Sequence, residues 1–131
     1  MRSAWGPAAV WAAVLFLLSA IPLTDDVSWL PVNDKVIHVA LYGVFGGTLV
    51  WGRIRSGVGW PHSLIVALGA LYGVTDEWHQ SFVPGRAVSL LDWIADVTGI
   101  LLGYSVLLAM ISHRAVRALQ PADPDSSNEG I

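Results

Sequence analysis

Leu91-Asp92-Trp93-Ile94-Ala95-Asp96-Val97-Thr98-Gly99-Ile100-Leu101-Leu102-Gly103-Tyr104-Ser105-Val106-Leu107-Leu108-Ala109-Met110-Ile111 is an apolar run with two carboxylates near its start. About 20 residues of helix cross a hydrocarbon core, so the run is long enough to span one. Ionisable groups at such depth are costly and mark a functional site by default. Three further apolar stretches, roughly Ala4 to Ile21, Val36 to Trp51, and His62 to Thr75 with a polar extension to Gln80, give the chain four candidate spans. The composition agrees: 54% hydrophobic, 13% charged and a mean hydropathy of +0.58 lie far from soluble averages. The expected fold is an all-α integral membrane protein.

Polar chemistry is concentrated in three runs: Asp34-Lys35-x-x-His38, Asp76-Glu77-x-His79-Gln80 followed by Pro84-Gly85-Arg86, and Ser89-x-x-Asp92-x-x-x-Asp96. On a four-span layout Arg2, Arg53, Arg55, Arg114 and Arg117 fall on one side, against Lys35 and Arg86 on the other. Basic residues near span ends favour the cytoplasm, giving an N-in/C-in orientation. Asp25, Asp26, Asp34, Asp76, Glu77, Asp92 and Asp96 then share the extracytoplasmic face. Trp5, Trp29, Trp51, Trp60, Trp78 and Trp93 lie near proposed span ends, where headgroup-level anchors are expected. Arg2 ahead of an apolar core resembles a signal peptide, but no small-x-small site follows, so the first segment is expected to remain as an anchor helix. Residues 1–112 form the transmembrane unit, and residues 113–131 form a cytoplasmic acidic tail, disordered from Pro121 onward by composition. The absence of cysteine excludes disulfides, thiol nucleophiles and thiolate metal sites.

Helical spacing puts Asp34, His38, Leu41, Tyr42 and Phe45 on one face of the second span. Gly69, Tyr72, Gly73, Asp76 and Gln80 share a face of the third, with Glu77 adjacent, and Asp92, Asp96, Gly99 and Gly103 share one of the fourth. Gly69-x-x-x-Gly73 and Gly99-x-x-x-Gly103 are small-residue patterns that let helices approach closely. Turning the three faces together collects Asp34, Lys35, His38, Asp76, Glu77, Gln80, Arg86, Asp92 and Asp96 in one outward-opening pocket. Pro84-Gly85 suits a type II turn that sets the direction of Arg86, and Ser89, three residues before Asp92, has helix-capping spacing.

These motifs, with Tyr42 four residues after His38, Ala95-Asp96-x-x-Gly99-x-x-x-Gly103 and Ser19-Ala20-Ile21-Pro22, resemble the VanZ-like family over roughly residues 5–110. Val39 stands where an aromatic often follows the His, and Asp96 where Asn is common. The resemblance implies a small polytopic protein of the bacterial cytoplasmic (inner) membrane, in a family whose named member is linked to low-level teicoplanin resistance.

Four readings of the polar residues stand side by side. The leading one is a pocket for a lipid-linked or anionic envelope component, lined by Asp34, Lys35, His38, Tyr42, Asp76, Glu77, Gln80, Arg86, Ser89, Asp92 and Asp96. The second is a hydrolase or transferase acting on a phosphorylated lipid or envelope precursor, with Asp76, Glu77, Asp92 and His38 as catalytic candidates. A small proton-coupled transporter, acting as a homodimer, is the third. The fourth is purely architectural, with the charges pairing to keep three helices in register. No cofactor follows from the motifs; a divalent metal, if bound, would draw on His38, Glu77 and Asp92. His79, about 100° around its helix from Gln80 and about 300° from Asp76, is not expected to share a site with every carboxylate, and His62 and His113 are assigned to the interface. The lipid bilayer is the expected partner, and nothing points to nucleic acid.

Overall fold

Four helices and no strand make up residues 3–22 and 34–119, the part of the chain that the computed structural model describes. They are α1 (Gly6–Ser19), α2 (Asp34–Ser56), α3 (His62–Gln80) and α4 (Leu90–Leu119). Arg2, Asp25, Asp26, Trp29 and the tail from residue 120 lie outside the described residues.

Local chemistry sets each boundary. Pro7 opens α1, where a missing N–H costs nothing. α2 starts on Asp34 and ends with Arg53 and Arg55 in its last turn, which places charge favourably at both ends of the helix dipole. Gly57, at φ 67°, then takes the left-handed conformation that stops the helix. Gly85, at φ 80°, follows Pro84, and the Arg86 N–H donates to the Val83 carbonyl at 3.1 Å, which completes the type II turn expected between α3 and α4. α4 continues to Leu119, so residues 113–119, which the sequence assigns to the tail, are helical.

At 1.5 Å per residue the 23 residues of α2 and 30 of α4 span about 34 and 45 Å, enough for a hydrocarbon core of about 30 Å. These two helices are long and apolar enough to cross a membrane; α1 is a shorter apolar helix of 14 residues. The distribution of side chains is inverted relative to a soluble domain. Leu17, Leu71, Leu102 and Val106 face outward and exposed, whereas Asp76, Glu77, Asp92 and Asp96 are buried. Such a surface suits lipid, not water.

α2 and α4 make the most extensive contact. They run parallel, since pairs along the seam keep a near-constant offset: Lys35 with Asp92, His38 with Asp96, Gly43 with Gly103. The seam is backbone against backbone. A Cβ at Gly46 would strike the Ile100 carbonyl, one at Gly99 the Val39 carbonyl, and one at Gly103 the Gly43 carbonyl. α3 runs antiparallel to both, with Gly69 under Leu49 and Ile100 and Gly73 under Trp93. Below the polar end the core is Tyr42, Phe45, Leu49, Val50, Ile65, Ile100 and Tyr104.

Tyrosine and tryptophan donors end on helix carbonyls: Trp11 Nε1 on Leu41 O (2.9 Å), Tyr72 OH on Ala12 O (2.6 Å) and Trp93 Nε1 on Ala70 O (3.0 Å). Buried donors must find partners inside a bundle that faces lipid. Trp93 therefore packs between α3 and α4 and Trp5 against Gly52, while Trp51, Trp60 and Trp78 stay exposed as interface anchors would.

Gly103→Ala must push the α2 and α4 backbones apart and should cost about 1–3 kcal/mol. Gly47→Ala meets only ordinary contacts, at 3.8 Å from Leu107 and 3.9 Å from the Gly103 carbonyl, and should be neutral. Thermal unfolding in detergent checks the pair; equal melting temperatures would contradict the seam.

Candidate functional site

The polar ends of α2, α3 and α4 meet at one end of the bundle. Asp34 and Lys35 form its rim, both partly exposed, and Lys35 Nζ lies 3.5 Å from Asp34 Oδ2 while also forming a close ion pair with Asp92. One turn deeper His38 Nδ1 stands 2.7 Å from Asp96 Oδ1, and its Nε2 is 3.9 Å from Asp34 Oδ1. Tyr42, a further turn down, donates its hydroxyl to Asp76 Oδ2 at 2.9 Å, and Gln80 Nε2 reaches the same oxygen at 3.5 Å. Asp96 is 0% exposed, Glu77 4%, Asp76 5% and Asp92 7%.

Glu77 links α3 to the start of α4. Its Oε2 accepts the Ser89 N–H at 2.9 Å, and the Ser89 hydroxyl accepts the Asp92 N–H at 3.3 Å. The two bonds satisfy first-turn donors of α4 reciprocally, as in a capping box, but with the glutamate supplied by the neighbouring helix. Ser89 is thus a helix cap.

Three carboxylate oxygens in this cluster are buried without a hydrogen-bond partner: Asp76 Oδ1, Glu77 Oε1 and Asp96 Oδ2. An unsatisfied buried acceptor costs about 1–3 kcal/mol, more when charged. Four buried carboxylates face Lys35 and His38, so the cluster carries more acid than the cations beside it neutralise. As it stands the site has open acceptors for a cation or for hydrogen-bond donors.

The structure therefore brings together Asp34, Lys35, His38, Tyr42, Asp76, Glu77, Gln80, Ser89, Asp92 and Asp96. Arg86 it places elsewhere. From the α3–α4 turn its Nε donates to the Ile21 carbonyl (3.0 Å) and a terminal nitrogen to the Leu18 carbonyl (3.2 Å). Leu18 is in the last turn of α1, where its carbonyl also accepts the Ile21 N–H at 3.3 Å, and Ile21 lies just past the helix; the C-terminal end of a helix attracts positive charge. His79 also turns to α1: its ring stacks on Phe16 at 4.2 Å, and its Nδ1 lies 3.1 Å from the buried Ser19 hydroxyl. His62, at the other end, is 2.7 Å from the Tyr104 hydroxyl.

Sequence spacing misses Gly43 and Gly46, the α2 half of the seam, although Gly43-x-x-Gly46-Gly47 carries the signal. It also misses a cavity of about 390 Å³ at the α1–α3 junction, lined by Phe16, Tyr72, Thr75, Asp76, Trp78, His79 and Phe82. Its walls are mostly aromatic, and Asp76 joins it to the acid cluster.

An all-helical bundle with an apolar exterior, two membrane-length helices and a buried acid–histidine cluster defines a membrane protein. Residues 5–112 match the VanZ/LLP1 family, and the chain belongs to it. No curated protein and no solved structure gives a significant match.

Arg86→Ala removes two bonds to the end of α1 and should lower stability by about 1–3 kcal/mol. Arg86→Lys, without the planar fork, should recover only part of the loss. Thermal unfolding of the three proteins tests this; an unchanged melting temperature for the alanine variant would remove the capping role.

Proposed function

We propose that the protein is a four-span protein of the bacterial cytoplasmic membrane, with the N-terminus and tail inside. Its role is to bind the polar headgroup of a lipid-linked envelope component at the outer ends of α2, α3 and α4. The observation that carries this reading is the cavity. Its volume falls in the range of small-molecule sites, its walls are apolar enough for part of a hydrocarbon chain, and its lining includes Asp76, whose Oδ1 is buried without a hydrogen-bond partner. Orientation rests on the five-to-two basic bias, to which Arg53 adds a bond from its Nε to the Trp60 carbonyl (2.8 Å) that folds the loop after α2.

The geometry narrows the headgroup. Lys35 is held by Asp92 and Asp34, and Arg86 by α1, so the cluster offers mainly acceptors. Hydroxyls of a sugar or an ammonium group would meet Asp76, whereas a phosphate on the same lipid would lie at the Lys35 rim. Sequestration of an envelope precursor in this way would change teicoplanin susceptibility when the protein is expressed. Turnover of a bound lipid is the second reading, favoured by the open oxygens of Asp76 and Glu77, either of which can serve as a general base. With Ser89 committed to its helix cap, the attacking group in that case is water.

Native mass spectrometry of protein purified in mild detergent tests the reading. Wild type should retain a specific lipid, and both Asp76→Asn and Thr75→Trp, which fills the cavity, should lose it. Equal lipid retention in all three proteins would overturn the assignment. Because the chain has no cysteine, orientation is separately measurable: cysteine at Ala87 should react with an impermeant thiol reagent in intact cells, and cysteine at Ser56 should not. The reverse pattern would place the cluster on the cytoplasmic side.

A further inference from the structure

We infer that His38, Glu77 and Asp96 hold a divalent transition-metal cation of the zinc or manganese class beneath the rim of the acid cluster. One ligand atom from each residue lies within 4.8 Å of the others. Ligand atoms around one tetrahedral zinc stand about 3.4 Å apart for bonds of about 2.1 Å, so an inward rotation of the side chains completes the site.

Geometry alone would describe any acidic cluster. Here Glu77 Oε1 and Asp96 Oδ2 are also buried without a partner, on side chains more than nine-tenths buried. Each needs a donor or a cation, and a single ion can serve both. The charge points the same way. A dication together with Lys35 would offset three of the four buried carboxylates and let His38 ligate as a neutral imidazole. One imidazole nitrogen with carboxylate oxygens is a mixed set that suits zinc or manganese better than calcium.

A second triad, Asp34, His38 and Asp92, lies within the same distance. It is the weaker site, since Asp34 is exposed and Asp92 already has the Lys35 ammonium. The inner assignment leaves Asp76 Oδ1 for the headgroup proposed above, and it stands or falls separately from lipid retention.

The test uses full-length protein in detergent, stripped with EDTA and dialysed against zinc chloride or manganese chloride. Bound metal is counted by elemental mass spectrometry and stability followed by thermal unfolding. Wild type should retain about one ion per chain and melt at a higher temperature with metal than without. Glu77→Gln and Asp96→Asn should each weaken binding by about tenfold or more and lose the thermal shift. Both variants should fold, since each amide keeps an oxygen that can accept from the Ser89 N–H or the His38 ring while one of four clustered buried charges is removed. Asp34→Asn should bind as wild type does. The site is overturned if wild type retains neither metal and shows no thermal shift, if both inner variants keep wild-type affinity, or if Asp34→Asn alone abolishes binding.

Discussion

The close passage of α2 along α4 is the constraint on which the rest depends. Lipid gives helices no hydrophobic reason to associate, so contact must come from shape, and glycine supplies it. At Gly46, Gly99 and Gly103 the neighbouring helix occupies the space a side chain would need. Two parallel helices locked this way share one register along their length. That register aligns Lys35 with Asp92 and His38 with Asp96 some turns away. A slip of one residue would turn the histidine from its carboxylate and leave both groups buried and unmatched.

The acid cluster is hard to account for as architecture. Burying charge costs several kcal/mol per ion before pairing recovers any of it, and apolar side chains of similar size would pack the same helices at lower cost. A purely structural network would also be expected to satisfy its own members. Tyr42, Gln80 and the Ser89 backbone do so for one oxygen each of Asp76 and Glu77, and the other oxygen of each is left open. That half-completed pattern is what the proposed binding role rests on.

Much of this was readable from spacing. A helix repeats every 3.6 residues, so the faces bearing His38 and Tyr42, Asp76 and Gln80, and Asp92 and Asp96 follow directly, and those faces are the ones turned inward. What spacing does not carry is direction beyond the helix. Arg86 sits among acidic motifs in the sequence, and a count of charges assigns it to them. In the fold its rigid side chain reaches the last carbonyls of α1, groups that no one-letter code displays. The glycines show the same limit. Gly69 and Gly73 have the expected spacing yet receive side chains, while Gly99 and Gly103, with the same spacing, meet the backbone of α2, because partner choice depends on which helices run alongside each other. Spacing does not display the Glu77 bond to Ser89 for a related reason: the glutamate that caps α4 comes from α3.

Among the described residues α1 is attached by side chains, without the backbone-to-backbone contact that joins α2 to α4. Besides the packing of Ala8, Leu15 and Trp5 and the stacking of Phe16 on His79, its described ties are hydrogen bonds from Trp11 and Tyr72, two from Arg86, and one between Ser19 and His79. Bonds of this sort within membranes average well under 1 kcal/mol each, so they can be exchanged one at a time, as a backbone-tight seam cannot. The cavity wall includes Phe16 of α1, whereas His38, Glu77 and Asp96 are carried by α2, α3 and α4. A sideways shift of α1 would therefore move the Phe16 wall of the cavity while leaving the paired charges of α2 and α4 in place.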